Sequence, residues 1–588
     1  MIVLGYNGFS NSAAFFDAYF GSRGKDRHLL MGHDAAAALF KEGILVAAAE
    51  EERFSRIKKT SDFPGHAIRY CLQEAGIAVT DIDYVTMPWD CNEKWLNDLL
   101  IAILQKEGTL LEKLELLGKM KSFYFQVASH EKVIEDFNSN MGTDFGPEKF
   151  IFVPHHLAHV MCGFFLSEMK ESAFLVTDGR GEAYSSIMGK IDRNHFEIFD
   201  WVSISNSIGI LYRKFTRYLG FTPNSDEYKV MALSAFVQSP PQYDVNQFIE
   251  FLPNGRFKIV LPGGDDHLSY YRFFEKFFGE KTEKTFNNMA YFIQQLTEMV
   301  IWHQVSFLQD KVDNDTLFIE GGVALNCVNN SKVLAKSRFK DVHVGFAAND
   351  TGVAIGAAFF PFYDQKQFQN NTITPYLGPA FSNSDILTAL QAKSDQIIFR
   401  ELEESQLLEE VVEQLAHKKI IGWFQGKMEY GPRALGNRSI LASPVFPDMK
   451  DIINAKVKYR EPFRPFAGVT IESEADQYFE MGKKKTSPFM TFVFDAKPSV
   501  KDKVISALHV DGTSRLQTIS EQQNPRLYRL LLAFSKKTGI TCLINTSFNV
   551  QGEPIVCSPT DAVNCFLNSG IDVLVLDRFV VYKKKTDA

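Results

Sequence analysis

Short apolar runs of about four to eight residues, broken by Gly, Asp or Asn, alternate along the chain with stretches in which Leu, Ile and Phe recur at helical spacing. The N-terminal pattern predicts a strand, IVLGYN, then an irregular Gly/Ser-containing loop. AAAALF and ILVAAAEEE follow, separated only by Lys41, Glu42 and Gly43, which reads as a hairpin. From Cys91 to about Phe137 the spacing is helical, as in LNDLLIAILQ and LLEKLELLGKM, and predicts a helical insertion. A second strand system then begins with FIFVP, SAFLVTDGRG and AYSSIMGKI. The recurring strand, Gly or Asp-Gly turn, strand order predicts two similar halves without a close internal repeat. A helix near Phe286 to Leu308 precedes TLFIEGGVALNCVNNSKVL, read as buried strand, tight Gly-Gly turn and helix. DVHVGFA, the ANDTG turn and the Ala/Gly-rich VAIGAAFF close this part.

Residues 364 to 384 are polar and Pro-containing and read as a linker. From about Ile386 a second α/β unit is expected: helix SQLLEEVVEQLA, strand IIGWFQ, a Gly/Arg-rich loop, helix DMKDIINAKV, and strands AGVTI, FMTFVF, TCLIN and VLVLDRFVVY. At 588 residues the chain exceeds one ordinary core, so the predicted division is 1–370 and 385–588.

Composition narrows the function classes. The net charge of -8, without a dense basic stripe, argues against nucleic acid as a general partner. No apolar run approaches a membrane span, and MIVLGYNGFS lacks the basic start and apolar stretch of a secretory signal. Seven cysteines without CxxC spacing read as reduced thiols, and the expected location is the cytoplasm. The 52 phenylalanines are expected to fill sheet cores.

The candidate chemistry begins at VPHHLAHV. If Pro154 opens a helix, His155 and His159 at i and i+4 share a face while His156 points elsewhere. HxxxH alone is also an ordinary helix-face pattern. Asp178 in LVTDGRGE and Asp350 in FAANDTG, each in a turn after an apolar run, complete a candidate metal site. Mixed nitrogen and carboxylate ligands suit iron, manganese or zinc better than calcium. Backbone amides at the Gly321-Gly322 turn offer a phosphate cradle. The second unit concentrates Arg433, Arg438, Arg460, Arg464 and Arg515 in loops, with Lys456 and Lys458 nearby. Guanidinium forks there fit phosphoryl or carboxylate oxygens. Asn545, Ser547 and Asn549 follow a buried strand as binding-loop material. The run Glu50 to Arg56 reads as a structural salt-bridge cluster.

With GHDAAAAL, AEEERFSRIK, FPGHAI, HHLAH, TDGRGE, EYKVMAL, GGVALN, NDTG, GPRALGNRSI, KYREPFRPF, DGTSRLQ and NTSFNVQGEPI in order, the chain resembles the O-carbamoyltransferases that include the nodulation, cephamycin and aminoglycoside carbamoyltransferases. The resemblance implies an α/β fold with two parts. The first is an actin/sugar-kinase-like (ASKHA) N-terminal domain, similar to the tRNA threonylcarbamoyl-transfer ATPase and carrying the helical insertion. The second is a YrdC-like α/β domain.

It further implies that ATP and carbamoyl phosphate, with Mg2+, form carbamoyl adenylate in the C-terminal domain. Lys458, Arg464, Arg515, Asn545 and Ser547 would bind carbamoyl phosphate there, and Arg433 would approach the nucleotide. Transfer to a hydroxyl would follow in the N-terminal domain, at a metal implied to be Fe2+, with Gly321, Gly322, Val323 and Asn326 supporting the nucleotide. His33 would accept the hydroxyl proton; in a strand, its neighbour Asp34 would face away from it. The implied partners are a small natural-product or sugar-like acceptor and, at most, a second copy of the chain. Residues 8–32 form an insertion expected to shape acceptor choice. Two other readings are a macromolecular acceptor, tRNA or protein, and a catalytically silent nucleotide-binding switch.

Overall fold

The computed structural model describes residues 1–20, 31–105, 109–261, 267–368 and 373–584. The chain forms two compact units, Met1–Glu52 with Lys59–Ile373, and Arg53–Lys58 with Thr374–Ala588.

The first unit carries two five-stranded sheets of one topology. In one, Ile2–Asn7 is flanked by the antiparallel pair Ala36–Lys41 and Ile44–Glu50 on one side, and by the parallel strands Tyr84–Met87 and Phe150–Phe152 on the other. In the other, Glu171–Thr177 takes the central place. Tyr184–Asp192 and Phe196–Ser203 run antiparallel beyond one edge, and Thr316–Glu320 and Asp341–His343 run parallel beyond the other. The two halves expected from the turn pattern are therefore one five-strand order used twice, the arrangement of the actin/sugar-kinase-like fold. The central strands read as continuous apolar runs because both faces are covered.

The helices His155–Ser167 and Gly352–Asp364 pack closely. A Cβ at Gly356 would lie 1.8 Å from the Ala158 carbonyl oxygen, so only glycine permits this approach. The helical insertion comprises Glu93–Gln105, Leu110–Phe123 and His130–Met141. Much of the phenylalanine forms one core under the Glu283–Lys311 helix, including Phe215, Phe248, Phe274 and Phe292.

The second unit is built on a nine-stranded sheet. Its middle strands are Ile421–Phe424, Arg438–Ala442, Cys542–Ser547, Ala467–Ile471 and Thr513–Ile519. The hairpin Val573–Leu576 and Phe579–Lys583 extends one side, and Val493–Asp495 closes the other. Glu404–Ala416 and Pro525–Thr538 are among its helices.

Several local readings change. The stretch read as irregular after the first strand contains a helix, Ser12–Phe20, while residues 21–30 of the insertion lie outside the described residues. Phe15 packs edge-on against Phe123 of the helical insertion, which supplies the apolar partner that local sequence could not reveal. The Gly/Arg-rich loop yields a central strand at Arg438–Ala442, and SRLQTI is also a strand. FMTFVF contributes only Val493 and Phe494, to the short strand Val493–Asp495. The run Glu50 to Arg56 also ties down neighbouring segments, with Glu51 pairing with His66 and Arg56 with Asp561. Glu51 accepts the backbone N–H groups of His66 and Ala67, and Glu52 accepts that of Lys59. Arg53 and Arg56 donate to carbonyls of the second unit, at Gly431, Pro554 and Ile555. Among the described residues no helix is long and apolar enough to cross a membrane. None of the seven cysteines is in a disulfide, and all are buried.

Candidate functional site

In the first unit His155 opens the His155–Ser167 helix directly after Pro154. Glu182 accepts the His155 N–H with both carboxylate oxygens, at 2.9 and 3.1 Å, and the Asp90 N–H at 2.9 Å. A carboxylate at a helix start meets unpaired amides and the positive end of the helix dipole. It thereby fixes where the helix begins. The His155 ring stacks on Trp89 at 3.9 Å, and its Nδ1 donates to the Pro88 carbonyl at 3.2 Å. That leaves Nε2 with its lone pair turned inward.

Asp178 extends from the Glu171–Thr177 strand, and Asp350 lies in the turn before the Gly352–Asp364 helix. His155, His159, Asp178 and Asp350 converge, each offering one ligand atom, all within 4.8 Å of one another. His155 Nε2 is 3.7 Å from Asp178 and 3.8 Å from Asp350, and His159 Nε2 is 3.8 Å from Asp350. These gaps are too long for hydrogen bonds, and both Nε2 atoms are buried without a partner. Ligands at about 2.1 Å from a tetrahedral ion lie about 3.4 Å apart, so the set fits a divalent cation.

Electrostatics agree with this reading. Burial works against charge on His155, but Asp178 and Asp350 outweigh it and raise its pKa. Burial likewise opposes the Asp178 charge, yet His155 and His159 hold its carboxyl well below the usual range. Burial pushes His156 down to about 3, so this middle histidine of the run stays neutral.

His33 lies beside this cluster, its Nδ1 3.1 Å from Asp34 Oδ2 and 3.6 Å from Asp350 Oδ2. The expectation that Asp34 faces away is wrong. Asp34 adopts a left-handed φ of 58° rather than strand geometry, which folds its carboxylate back onto His33. Lys59 Nζ reaches the same oxygen at 3.0 Å, and the depressed pKa of Asp34, despite its burial, follows from Lys59 and His33. With Nδ1–H held by Asp34, the basic atom of His33 is Nε2.

The GGVALN turn differs from a simple phosphate cradle. Gly321 has φ +91°, and a Cβ there would fall 2.3 Å from the Thr177 carbonyl oxygen. The Gly322 N–H is occupied by Asp178 Oδ1 at 2.7 Å, so this amide positions an aspartate. Val323 lies in the 3-10 turn Gly322–Leu325, and the following helix starts only at Cys327, with Asn326 as its N-cap accepting the Asn329 N–H. Arg180, part of TDGRGE but not singled out from sequence, is lowered to about 10 by burial first and then by Arg213. Trp89 and Glu182 are the other contributors missed; Glu182 stood in a quoted motif, whereas Trp89 carried no local signal.

In the second unit, strand register gathers the candidates. Ala467 pairs with Arg515 on one neighbouring strand and with Asn545 on the other. Directly opposed residues face the same side, so Arg515 and Asn545 flank a small alanine floor, about 10 Å apart. Ser547, two residues on, shares that face. Lys458 Nζ donates to Ser547 Oγ at 3.2 Å, Asn549 Oδ1 at 2.8 Å, the Asn549 carbonyl at 3.0 Å and the Ser547 carbonyl. Burial foremost, then Arg460, holds Lys458 well below the ordinary lysine value. Arg464 approaches Glu461 at 3.5 Å, and its carbonyl accepts from Asn454. Arg433 is half-buried in the loop that Asn545 and Gln517 tie down, donating to the Ala434 and Leu435 carbonyls.

Arg438 is a correction. It is 0% exposed, donates to carbonyls of Gln425, Gly426, Asn437, Pro379 and Cys557, and lies 3.5 Å over the Phe424 ring. It braces the fold instead of meeting a ligand. Glu429 braces the same loop by accepting the N–H groups of Leu435, Asn437 and Arg438.

Comparison with known proteins gives two family matches along the chain. The family Carbamoyltransferase N-terminus matches residues 29–359, and Carbamoyltransferase C-terminus matches residues 412–583. An uncharacterized protein of Synechocystis, sll1178, is 33% identical over 94% of this chain and 95% of its own length. Nodulation protein NolNO of Sinorhizobium fredii is 34% identical over 94% of this chain and 79% of its own. Among solved structures, full-length HypF in the phosphate- and nucleotide-bound form is 11% identical with a TM-score of 0.33, over 63% of this chain and 56% of that one. That likeness is too slight to inform on chemistry. The family matches and the near full-length relatives are decisive: the chain belongs to the carbamoyltransferase family and is a carbamoyltransferase enzyme.

Proposed function

We propose that the protein is an ATP-dependent O-carbamoyltransferase working in two steps, with residues 385–588 forming the adenylate and residues 1–370 using it. Carbamoyl phosphate and water give carbamate and phosphate. A carbamate oxygen then attacks the α-phosphorus of ATP, displacing pyrophosphate and leaving carbamoyl adenylate. An acceptor hydroxyl next attacks the carbamoyl carbon, the bond to AMP breaks, and the hydroxyl proton passes to a base. The observation that carries this reading is the coexistence, in one carbamoyltransferase chain, of the Arg515–Asn545–Ser547–Lys458 face and the His155–His159–Asp178–Asp350 cluster.

In the second unit, Lys458, Arg464, Arg515, Asn545 and Ser547 take carbamoyl phosphate, and Arg433 attends the nucleotide. Their work is positioning and offsetting charge on reacting phosphoryl groups. In the first unit, His155, His159, Asp178 and Asp350 would hold a divalent cation, Fe2+ by family resemblance, with Mn2+ or Zn2+ also suited to the donors. Such an ion supplies Lewis-acid stabilisation of the AMP phosphate as it departs. His33 Nε2 takes the acceptor proton, with Asp34 and Lys59 fixing the ring. Gly321, Gly322, Val323 and Asn326 support the nucleotide through the turn that also holds Asp178.

The net charge of -8 favours a small acceptor over tRNA. The 8–32 insertion is suited to select it, since Phe9 lies 6.3 Å from Trp89, the ring stacked on His155. The free thiols and acidic surface suit work in the cytoplasm. The test is pyrophosphate release from ATP, with and without carbamoyl phosphate and without acceptor. Strict dependence on carbamoyl phosphate is expected, and Asp350→Ala should retain it while losing transfer. Pyrophosphate release that ignores carbamoyl phosphate would refute the reading and favour a nucleotide switch; tight retention of RNA at moderate salt would refute the small acceptor.

A further inference from the structure

The strand Thr316–Glu320 ends on a carboxylate set where no solvent reaches it. Glu320 is 0% exposed, and apart from the approach of the Gly345 backbone N–H neither of its oxygens meets a hydrogen-bond donor. Its Oε2 lies 4.0 Å from Nδ1 of His159, itself 0% exposed, with neither ring nitrogen partnered. The other nitrogen, Nε2, is the one 3.8 Å from Asp350 in the four-residue cluster. Space for this carboxylate is built in. A Cβ on Gly163, one turn beyond His159, would fall 2.6 Å from Glu320 Cγ, and one on Gly345 would fall 3.2 Å from Oε1.

A lone buried carboxylate is costly, and a residue pair with three or more orphaned polar atoms calls for a partner. The His159 imidazole is placed to be that partner. Closing from 4.0 Å to a hydrogen bond of about 2.8 Å takes an approach of about 1.2 Å, shared between the two side chains. His155 already shows the equivalent arrangement, with Nδ1 donating outward to Pro88 and Nε2 facing the cluster.

We propose that Glu320 is a positioning residue: it accepts the Nδ1–H of His159, fixes that tautomer, and presents the Nε2 lone pair to a divalent cation. A carboxylate acceptor also makes the imidazole a stronger donor than a carbonyl would. The proposal rests on reading the four residues as a cation site.

The test titrates cobalt(II) into metal-stripped full-length protein and reads visible absorption and competition with a chelating dye. Glu320→Leu removes the acceptor without leaving a void and replaces a buried polar group by an apolar one, so it should fold at least as stably. It is expected to weaken cobalt(II) binding about 10- to 100-fold. Glu320→Gln keeps an acceptor oxygen and should recover all but about three-fold of the affinity. Wild-type affinity in Glu320→Leu, or equal losses in both variants, overturns the positioning role. Asp350→Ala separates the two ideas: if it binds cobalt(II) as tightly as wild type, the cation site itself is refuted. If it alone loses binding, only the Glu320 proposal fails.

Discussion

Gly356→Ala should separate two physical effects of opposite sign. In an ordinary helix interior, alanine for glycine gains about 1 kcal/mol. Here the added Cβ would stand 1.8 Å from the Ala158 carbonyl oxygen, 2.7 Å from its carbon and 2.8 Å from the Cys162 nitrogen. All are backbone atoms, so no side chain can swing aside. A tolerable carbon–oxygen contact of about 3.3 Å requires the helices to separate by about 1.5 Å. Overpacking of this kind costs roughly 1 to 3 kcal/mol, and backbone against backbone belongs at the upper end, giving a net loss of about 1 to 2 kcal/mol. Ala158 sits between His155 and His159, so the same movement carries both imidazoles away from Asp178 and Asp350. Cobalt(II) affinity should fall at least about 10-fold. Scanning calorimetry with and without cobalt(II) identifies the first unit's transition as the one the metal raises. Pyrophosphate release in the second unit should remain at the wild-type rate. A Gly356→Ala protein with a higher transition and undiminished cobalt(II) affinity would refute the close-packing argument.

Other outcomes test the remaining residues. Because the ligand-free Lys458 is held well below its ordinary value, anion binding should restore its charge and take up a proton; affinity should fall as pH rises above the ligand-free pKa. Calorimetric titration of carbamoyl phosphate in buffers of different ionisation enthalpy reads this directly, and Lys458→Met should abolish both the uptake and pyrophosphate release. Arg438→Met leaves several buried carbonyls without their donor and should lower stability by about 3 to 5 kcal/mol in a denaturation assay; a folded variant altered only in its KM for ATP would restore the ligand-binding reading. His33→Asn should slow acceptor carbamoylation by about 100-fold or more while leaving pyrophosphate release intact, and an unchanged transfer rate would make His33 structural.

Elements whose information is local were legible in the sequence. His155 and His159 could be placed on one face because helical spacing is fixed by backbone geometry, and the Asp178 and Asp350 turns stood out because each followed an apolar run. The second α/β unit and the helical insertion were legible for the same reason. Tertiary structure decided whatever depended on residues distant in the chain. Arg438 reads as one more loop guanidinium until the carbonyls of Pro379 and Cys557 close around it. Residues 12–20 hold no clear helical stripe, and their helix is completed by Phe123 from the insertion. Asp34 turns toward His33 because Lys59 and the left-handed backbone hold it there, against strand alternation. Glu320 gives no local sign that it faces His159. Periodicity records which side of an element is buried, whereas charge pairing and close approach depend on what packs against that side, and a one-dimensional pattern does not contain the partner.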